Sequence, residues 1–277
     1  MKQSRRFAQV LTRDQVEFFN TFGYIVLPSQ FSPSEVDVIS HAFDDVMRNH
    51  ICEICEENSF SDQKRHSVVG IVESKPELVK MLIDDRVYEP LTQLLNPGFI
   101  WVASDGNLYA GDTPWHSDKR PFPGYTQIKV SIYLDTVTQD TGCLRVIPGS
   151  HRQPINDILR AELLNPTGSK TALDMPEESY GISASELPCV SVESSPGDVV
   201  FFRQEIFHAS FGGKVGRRMF AMGIFDRPTD ENLIDSVSSL YTHHREQADE
   251  SIISAFFNSD IPRVQEIQLG LREMGIE

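Results

Sequence analysis

The sequence predicts an α+β fold: a double-stranded β-helix (jelly-roll) core with flanking N- and C-terminal helices. Three observations point that way. Capped, helically periodic segments fill residues 10–50, the pattern changes at Phe99 to short strands broken by Gly, Pro and Asp, and helical character returns over 229–277. Several short strands with turn signals between them make a sandwich or a barrel, and a jelly roll is one way to close it. The expected organisation is one domain over 1–277, with a helical opening at 10–95, a barrel core at 99–226 and a helical tail at 229–277.

Each element has its own signal. Thr12 with Gln15 three residues on forms a capping box, Val16, Phe18, Phe19 and Phe22 supply an apolar face, and Gly23 ends the helix. Tyr24 to Leu27 is β-rich and closed by Pro28. Ser32 and Glu35 form a second capping box with Pro33 at the first helical position, and Val36, Ile39, Phe43 and Met47 recur at helical spacing. Residues 77–95 read as helical. Strands are expected at 99–104, 106–111, 127–135, 143–147, 189–193, 198–203 and 217–225. The polar, Pro/Gly-punctuated stretch 152–186 reads as a long excursion over the barrel mouth.

Composition bounds the function. The chain has 277 residues, 40% of them hydrophobic, and a formal net charge of −15. A general nucleic-acid binder needs a basic stripe against phosphates, and the short run Lys2, Arg5, Arg6 is too small to make one. No apolar run approaches the ~20 residues that span a bilayer. The opening residues lack the apolar core of a secretory signal. Four cysteines (Cys52, Cys55, Cys143, Cys189) at irregular spacing suit reduced thiols, so the expectation is a cytoplasmic protein. Cys52-Glu53-Ile54-Cys55 stands at the end of an amphipathic run from Ser34 to Glu57, with no second C-x-x-C to complete a zinc site, and reads as a packing pair.

The chemistry concentrates in His116-Ser117-Asp118 and a distant His208. On an extended strand residues i and i+2 point the same way, so His116 and Asp118 can reach one metal from one strand end while Ser117 points elsewhere. His208 would bring the third ligand. Two imidazoles and a carboxylate on one face of an octahedron leave three positions for a co-substrate and O2, the arrangement of non-haem Fe(II) oxygenases. H-x-D alone is common, and the same triplet fits a solvated turn beside Lys119 and Arg120. Lys129 and Tyr133 share one face of their strand, facing either the barrel interior or solvent. Trp115 reads as packing beside the first ligand, His151 as a turn residue in Pro-Gly-Ser-His, and His243-His244 as surface.

The surrounding motifs narrow these choices. Trp115-His116-Ser117-Asp118, the block from Gly142 through Leu144, Val146, Ile147 and Pro148 to His151, Pro196-Gly197-Asp198-Val199-Val200-Phe201-Phe202, and His208-Ala209-Ser210 followed by arginine occur in that order. Over roughly 11–226 the chain resembles the phytanoyl-CoA dioxygenase family of Fe(II)/2-oxoglutarate-dependent oxygenases, and its ectoine hydroxylase branch. The resemblance implies Fe(II) on His116, Asp118 and His208, with 2-oxoglutarate and O2 as co-substrates. It also implies an arginine for the far carboxylate of 2-oxoglutarate, for which Arg217 and Arg218 compete; aligning the following strand favours Arg218. A guanidinium fork suits a carboxylate, and neighbours on a strand face opposite ways, so only one of the two can point inward. Ser210 matches the position that adds a second hydrogen bond to that carboxylate, and Asn107 stands where the family often places a polar co-substrate contact; if the shared face of Lys129 and Tyr133 is the interior one, either would help hold 2-oxoglutarate or the substrate.

The implied activity is hydroxylation of a metabolite or natural-product intermediate with release of succinate and CO2. Desaturation, epoxidation and ring rearrangement share its cofactors, and a non-catalytic metal-binding barrel shares its ligands. Related halogenating enzymes lack the carboxylate ligand, so Asp118 argues against halogenation.

Overall fold

The computed structural model describes residues 11–55, 65–109, 111–163 and 178–276. The opening follows the local signals. Helix α1 (Arg13–Phe22) starts at the Thr12–Gln15 capping box and ends at Gly23 in the left-handed conformation. Strand β1 (Tyr24–Leu27) follows, then α2 (Pro33–Cys55), where the Glu35 carboxylate accepts from the Ser32 amide at 2.8 Å. The Cys52–Cys55 pair closes this helix, and its side chains lie outside the described residues.

Beyond a short strand β2 (His66–Val69), the expected helix over 77–95 is two helices, α3 (Pro76–Leu82) and α4 (Asp85–Leu94). The break has a cause. Asp84 is extended and its carboxylate accepts from the Arg86 amide at 3.0 Å, capping a new helix.

The expected strands 99–104 and 106–111 are one continuous strand, β3 (Ile100–Tyr109). Asp105-Gly106 resembles a turn in sequence, yet Gly106 serves packing: a Cβ there would lie 2.2 Å from Ile71 Cδ1. The core continues through β4 (Thr113–His116), β5 (Gln127–Tyr133) and β6 (Leu144–Val146). The excursion expected over 152–186 contains helix α5 (Ile155–Leu163) and a small hairpin, β7 (Glu178–Ser179) with β8 (Ile182–Ser183); 164–177 lie outside the described residues. Strands β9 (Val190–Val192), β10 (Val199–Arg203), β11 (His208–Ser210) and β12 (Arg217–Phe225) complete the sheets. Three helices, α6 (Glu231–Gln247), α7 (Glu250–Phe257) and α8 (Pro262–Glu273), form the tail.

The strands make two antiparallel sheets, β1-β10-β5-β12-β3-β2 and β4-β11-β6-β9. The strands of the helical opening thus sit at the two edges of the larger sheet. Three apolar layers hold the stack. Ile128, Val130, Phe220 and Met222 on the outer face of the larger sheet join Phe43 of α2 and Ile267 of α8 in the main core. Val200, Phe202, Met219 and Ala221 on its inner face meet Leu144, Val146 and Val192 of the smaller sheet. Trp115, Phe207 and Ala209 pack with Leu163 of α5 on the far side. Among the described residues no helix is long and apolar enough to cross a membrane.

Candidate active site

The inner space between the sheets is where the singled-out residues meet. His116 ends β4, His208 begins β11, and antiparallel pairing sets them directly opposite each other. Their ring centroids are 4.1 Å apart. Each Nδ1 faces a backbone carbonyl, that of Pro114 at 2.8 Å for His116 and of Ile206 at 3.0 Å for His208. A carbonyl only accepts, so each Nδ1 carries the proton and each Nε2 presents its lone pair to the centre. Asp118 completes the group, its oxygens 3.5 Å from His116 Nε2 and 3.8 Å from His208 Nε2. The three ligand atoms lie within 4.8 Å of one another, so this trio could hold one metal ion. Ser117 turns away, as strand alternation requires, and its hydroxyl bonds into the Lys119 and Glu205 carbonyls at 2.6 and 2.9 Å.

Electrostatics keeps Asp118 and His208 in ligand form. Burial opposes the charge of Asp118, but Lys129 and both imidazoles outweigh it and hold the carboxyl well below its usual range. Lys129 Nζ donates to Asp118 Oδ2 at 2.6 Å. Burial also opposes its charge, and Asp118 with Asp105 more than restores it. Burial and the adjacent His116 push His208 down to about 3, which leaves it neutral.

These groups line a cavity of about 330 Å³, together with Tyr133, Ser210 and Arg217. Lys129 and Tyr133 therefore share the interior face of β5. The arginine expectation needs correction. Arg218 is on the outer face of β12, where it pairs with Asp135 at 2.7 Å and Asp44 at 2.9 Å, beside α2. Arg217 is the one that points inward. It is buried, donates to Ser210 Oγ at 2.8 Å and to the Gly142 carbonyl, and stacks 4.6 Å from the Tyr109 ring. Its Nε is buried with no hydrogen-bond partner. Only one of the pair faces in, as alternation demands, but the strand is apolar on both faces, so its sequence carries no phase from which to choose.

Asn107 is fully buried, accepting from Arg65 Nε at 2.8 Å and donating to Asp105. It orients two residues that line the cavity, Arg65 and Asp105. Trp115 packs in the layer under α5 and donates to the Ala184 carbonyl at 2.7 Å. His151 is a packing residue against Gly23. The surface reading of His243-His244 holds for His243 alone: His244 is half-buried and lines the cavity from α6, as does Gln247. Tyr109, Asp105 and Arg65 also line the cavity and escape sequence reasoning. Alternation from Asn107 finds the first two once β3 is taken as one strand.

Comparison with known proteins agrees with this geometry. The family model described as Phytanoyl-CoA dioxygenase matches residues 19–219. An ectoine dioxygenase of Bordetella bronchiseptica is 24% identical over 221 residues, covering 74% of this chain and 71% of that protein. Among solved structures, the non-haem α-ketoglutarate-dependent carbocyclase SnoK from nogalamycin biosynthesis is similar in fold with a TM-score of 0.59 at 20% identity, covering 82% of this chain and 91% of that one. HygX from Streptomyces hygroscopicus, solved with nickel and 2-oxoglutarate bound, has a TM-score of 0.57 at 17% identity, covering 78% and 88%. The family model spans well over half of the chain, which therefore belongs to the phytanoyl-CoA dioxygenase family of non-haem iron, 2-oxoglutarate-dependent oxygenases.

Proposed function

We propose that this chain is an Fe(II)/2-oxoglutarate-dependent dioxygenase that hydroxylates a small metabolite or natural-product intermediate. The observation that carries the reading is the His116–Asp118–His208 trio in one cavity with Arg217, whose buried Nε lacks a partner. The donor set fits the metal: two imidazoles and a carboxylate suit Fe(II) and leave positions for co-substrate and O2. Bound iron would supply activation of O2, coupling decarboxylation of 2-oxoglutarate to succinate and CO2 with oxidation of the substrate. That HygX was solved with nickel and 2-oxoglutarate bound supports the same pairing of metal and keto acid here.

The chain's residues would do the placing. His116, Asp118 and His208 would hold the metal, with the Pro114 and Ile206 carbonyls fixing the two rings. Lys129 occupies Asp118 Oδ2, which leaves Oδ1 as the free donor. Arg217 and Ser210 would bind the far carboxylate of 2-oxoglutarate, the guanidinium as a charge-assisted fork. Asn107 acts one step removed, by holding Arg65 and Asp105. Phe202 stands edge-on to the His208 ring at 5.0 Å and excludes water from it.

The net charge of −15 supports a small-molecule partner over a nucleic acid. Cys143 and Cys189 are free thiols, which supports a cytoplasmic setting. The main core draws on helices from both ends of the chain, which supports one domain over 1–277. The test is O2- and 2-oxoglutarate-dependent succinate release across a panel of small metabolites. Stimulation in the wild type with loss in His116→Ala and Asp118→Ala is expected; full turnover in either variant would overturn the assignment.

A further inference from the structure

Once the metal trio and Arg217 have their roles, one carboxylate in the cavity makes no direct ion pair. Asp105 projects inward from β3, its carboxylate held by the Asn107 amide. Among the described residues no lysine or arginine pairs with it. Lys129 is bonded to Asp118 and meets Asp105 only through its field, while Arg65 is bonded to Asn107 and Arg217 to Ser210. His244 reaches the same cavity from α6, and its Nδ1 is buried with no hydrogen-bond partner. Burial lowers the pKa of this imidazole, so it is a neutral group able to accept a proton donor. A half-buried carboxylate without a direct cation contact and a buried ring nitrogen without a bond are both costly states that a donor-rich ligand relieves.

We infer that Asp105 and His244 form the substrate subsite and that it receives a protonated amine. An ammonium group offers up to three donors and a full positive charge, matching one carboxylate and one neutral imidazole acceptor. The cavity of about 330 Å³ must hold 2-oxoglutarate as well, so the amine is borne by a small molecule. His244 lies outside residues 19–219, the span matched by the family model, so the subsite joins a barrel strand to a helix beyond the family's matched core. The inference rests on the oxygenase reading and names its substrate class.

The test uses three probes of one carbon skeleton, n-butylamine, n-butanol and butyrate, added under argon to the full chain loaded with Fe(II) and 2-oxoglutarate. Binding is read by paramagnetic broadening of the probe's proton resonances. Butylammonium should bind at least tenfold more tightly than the other two. Asp105→Asn should erase that preference, Asp105→Glu should retain most of it, and His244→Ala should weaken butylammonium binding severalfold. Equal or tighter binding of butanol or butyrate, no saturable binding of any probe, or a preference that survives Asp105→Asn would overturn the inference. The weak visible band of an Fe(II)–2-oxoglutarate complex separates the two readings. If the band forms and the probe order is wrong, only the amine subsite falls; if the wild type forms no band, the oxygenase reading falls first.

Discussion

Replacing Arg217 with alanine should weaken 2-oxoglutarate binding far more than replacing its neighbour Arg218. Arg217 is buried in the cavity wall with an unpartnered Nε, whereas Arg218 is occupied by Asp135 and Asp44 on the other face of the strand. A charge-assisted hydrogen bond contributes ~1.5–3 kcal/mol, and its loss corresponds to roughly a 10- to 150-fold rise in the 2-oxoglutarate dissociation constant. Part of the Arg217→Ala effect would be structural, because the same guanidinium bonds Ser210 at 2.8 Å and the Gly142 carbonyl. Arg217→Lys addresses that: it keeps the charge, loses the planar fork, and should fall between wild type and alanine. Arg218→Ala removes a partly exposed ion-pair network, which is worth about 0–1 kcal/mol of stability per pair, and should leave 2-oxoglutarate binding within about twofold. Anaerobic titration of the Fe(II)-loaded variants with 2-oxoglutarate measures all three. An Arg218→Ala defect as large as that of Arg217→Ala, or unchanged binding in Arg217→Ala, would refute the reasoning.

The corner between α1 and β1 yields two further predictions. Gly23→Ala should destabilise the fold by roughly 1–2 kcal/mol from left-handed backbone strain alone, and by more because its Cβ would meet His151 Nδ1 at 2.5 Å from a backbone with φ +85°; unchanged urea denaturation would contradict this. His151 is held down to about 4 from an ordinary 6.5, first by burial and then by Arg203. Its neutral form is favoured in the folded state, so the stability it contributes is fully present above pH 6.5 and is lost as pH falls toward about 4. His151→Gln should flatten that part of the stability–pH curve, and an unchanged slope in urea melts between those pH values would refute the assignment.

Much of the site is legible in the amino-acid sequence because its signals are local. The i, i+2 spacing of His116 and Asp118 at a strand end needs only the pleat to bring both to one metal. The two capping boxes at Thr12 and Ser32 likewise define helix starts without tertiary help. What stays hidden depends on phase and on long-range packing. On β12 the residues Met219 and Ala221 face one apolar layer while Phe220 and Met222 face another, so no polar alternation marks which arginine points inward. Gly106 looks like a chain break because the side chains of Ile71 and Met47, which explain it, lie far away in sequence. His244 reaches the cavity only because α6 packs back across β3, a placement that helical periodicity does not encode.

The most direct measurement is anaerobic addition of Fe(II) and 2-oxoglutarate to the full chain, followed in the visible range. The expected result is a weak charge-transfer band that saturates at about one iron per chain, as the single three-ligand cluster among the described residues predicts, and that disappears in Asp118→Ala and His208→Ala. A wild-type chain that takes up iron and 2-oxoglutarate without the band, or a band that persists in both variants, would contradict the assignment of this trio as the iron site.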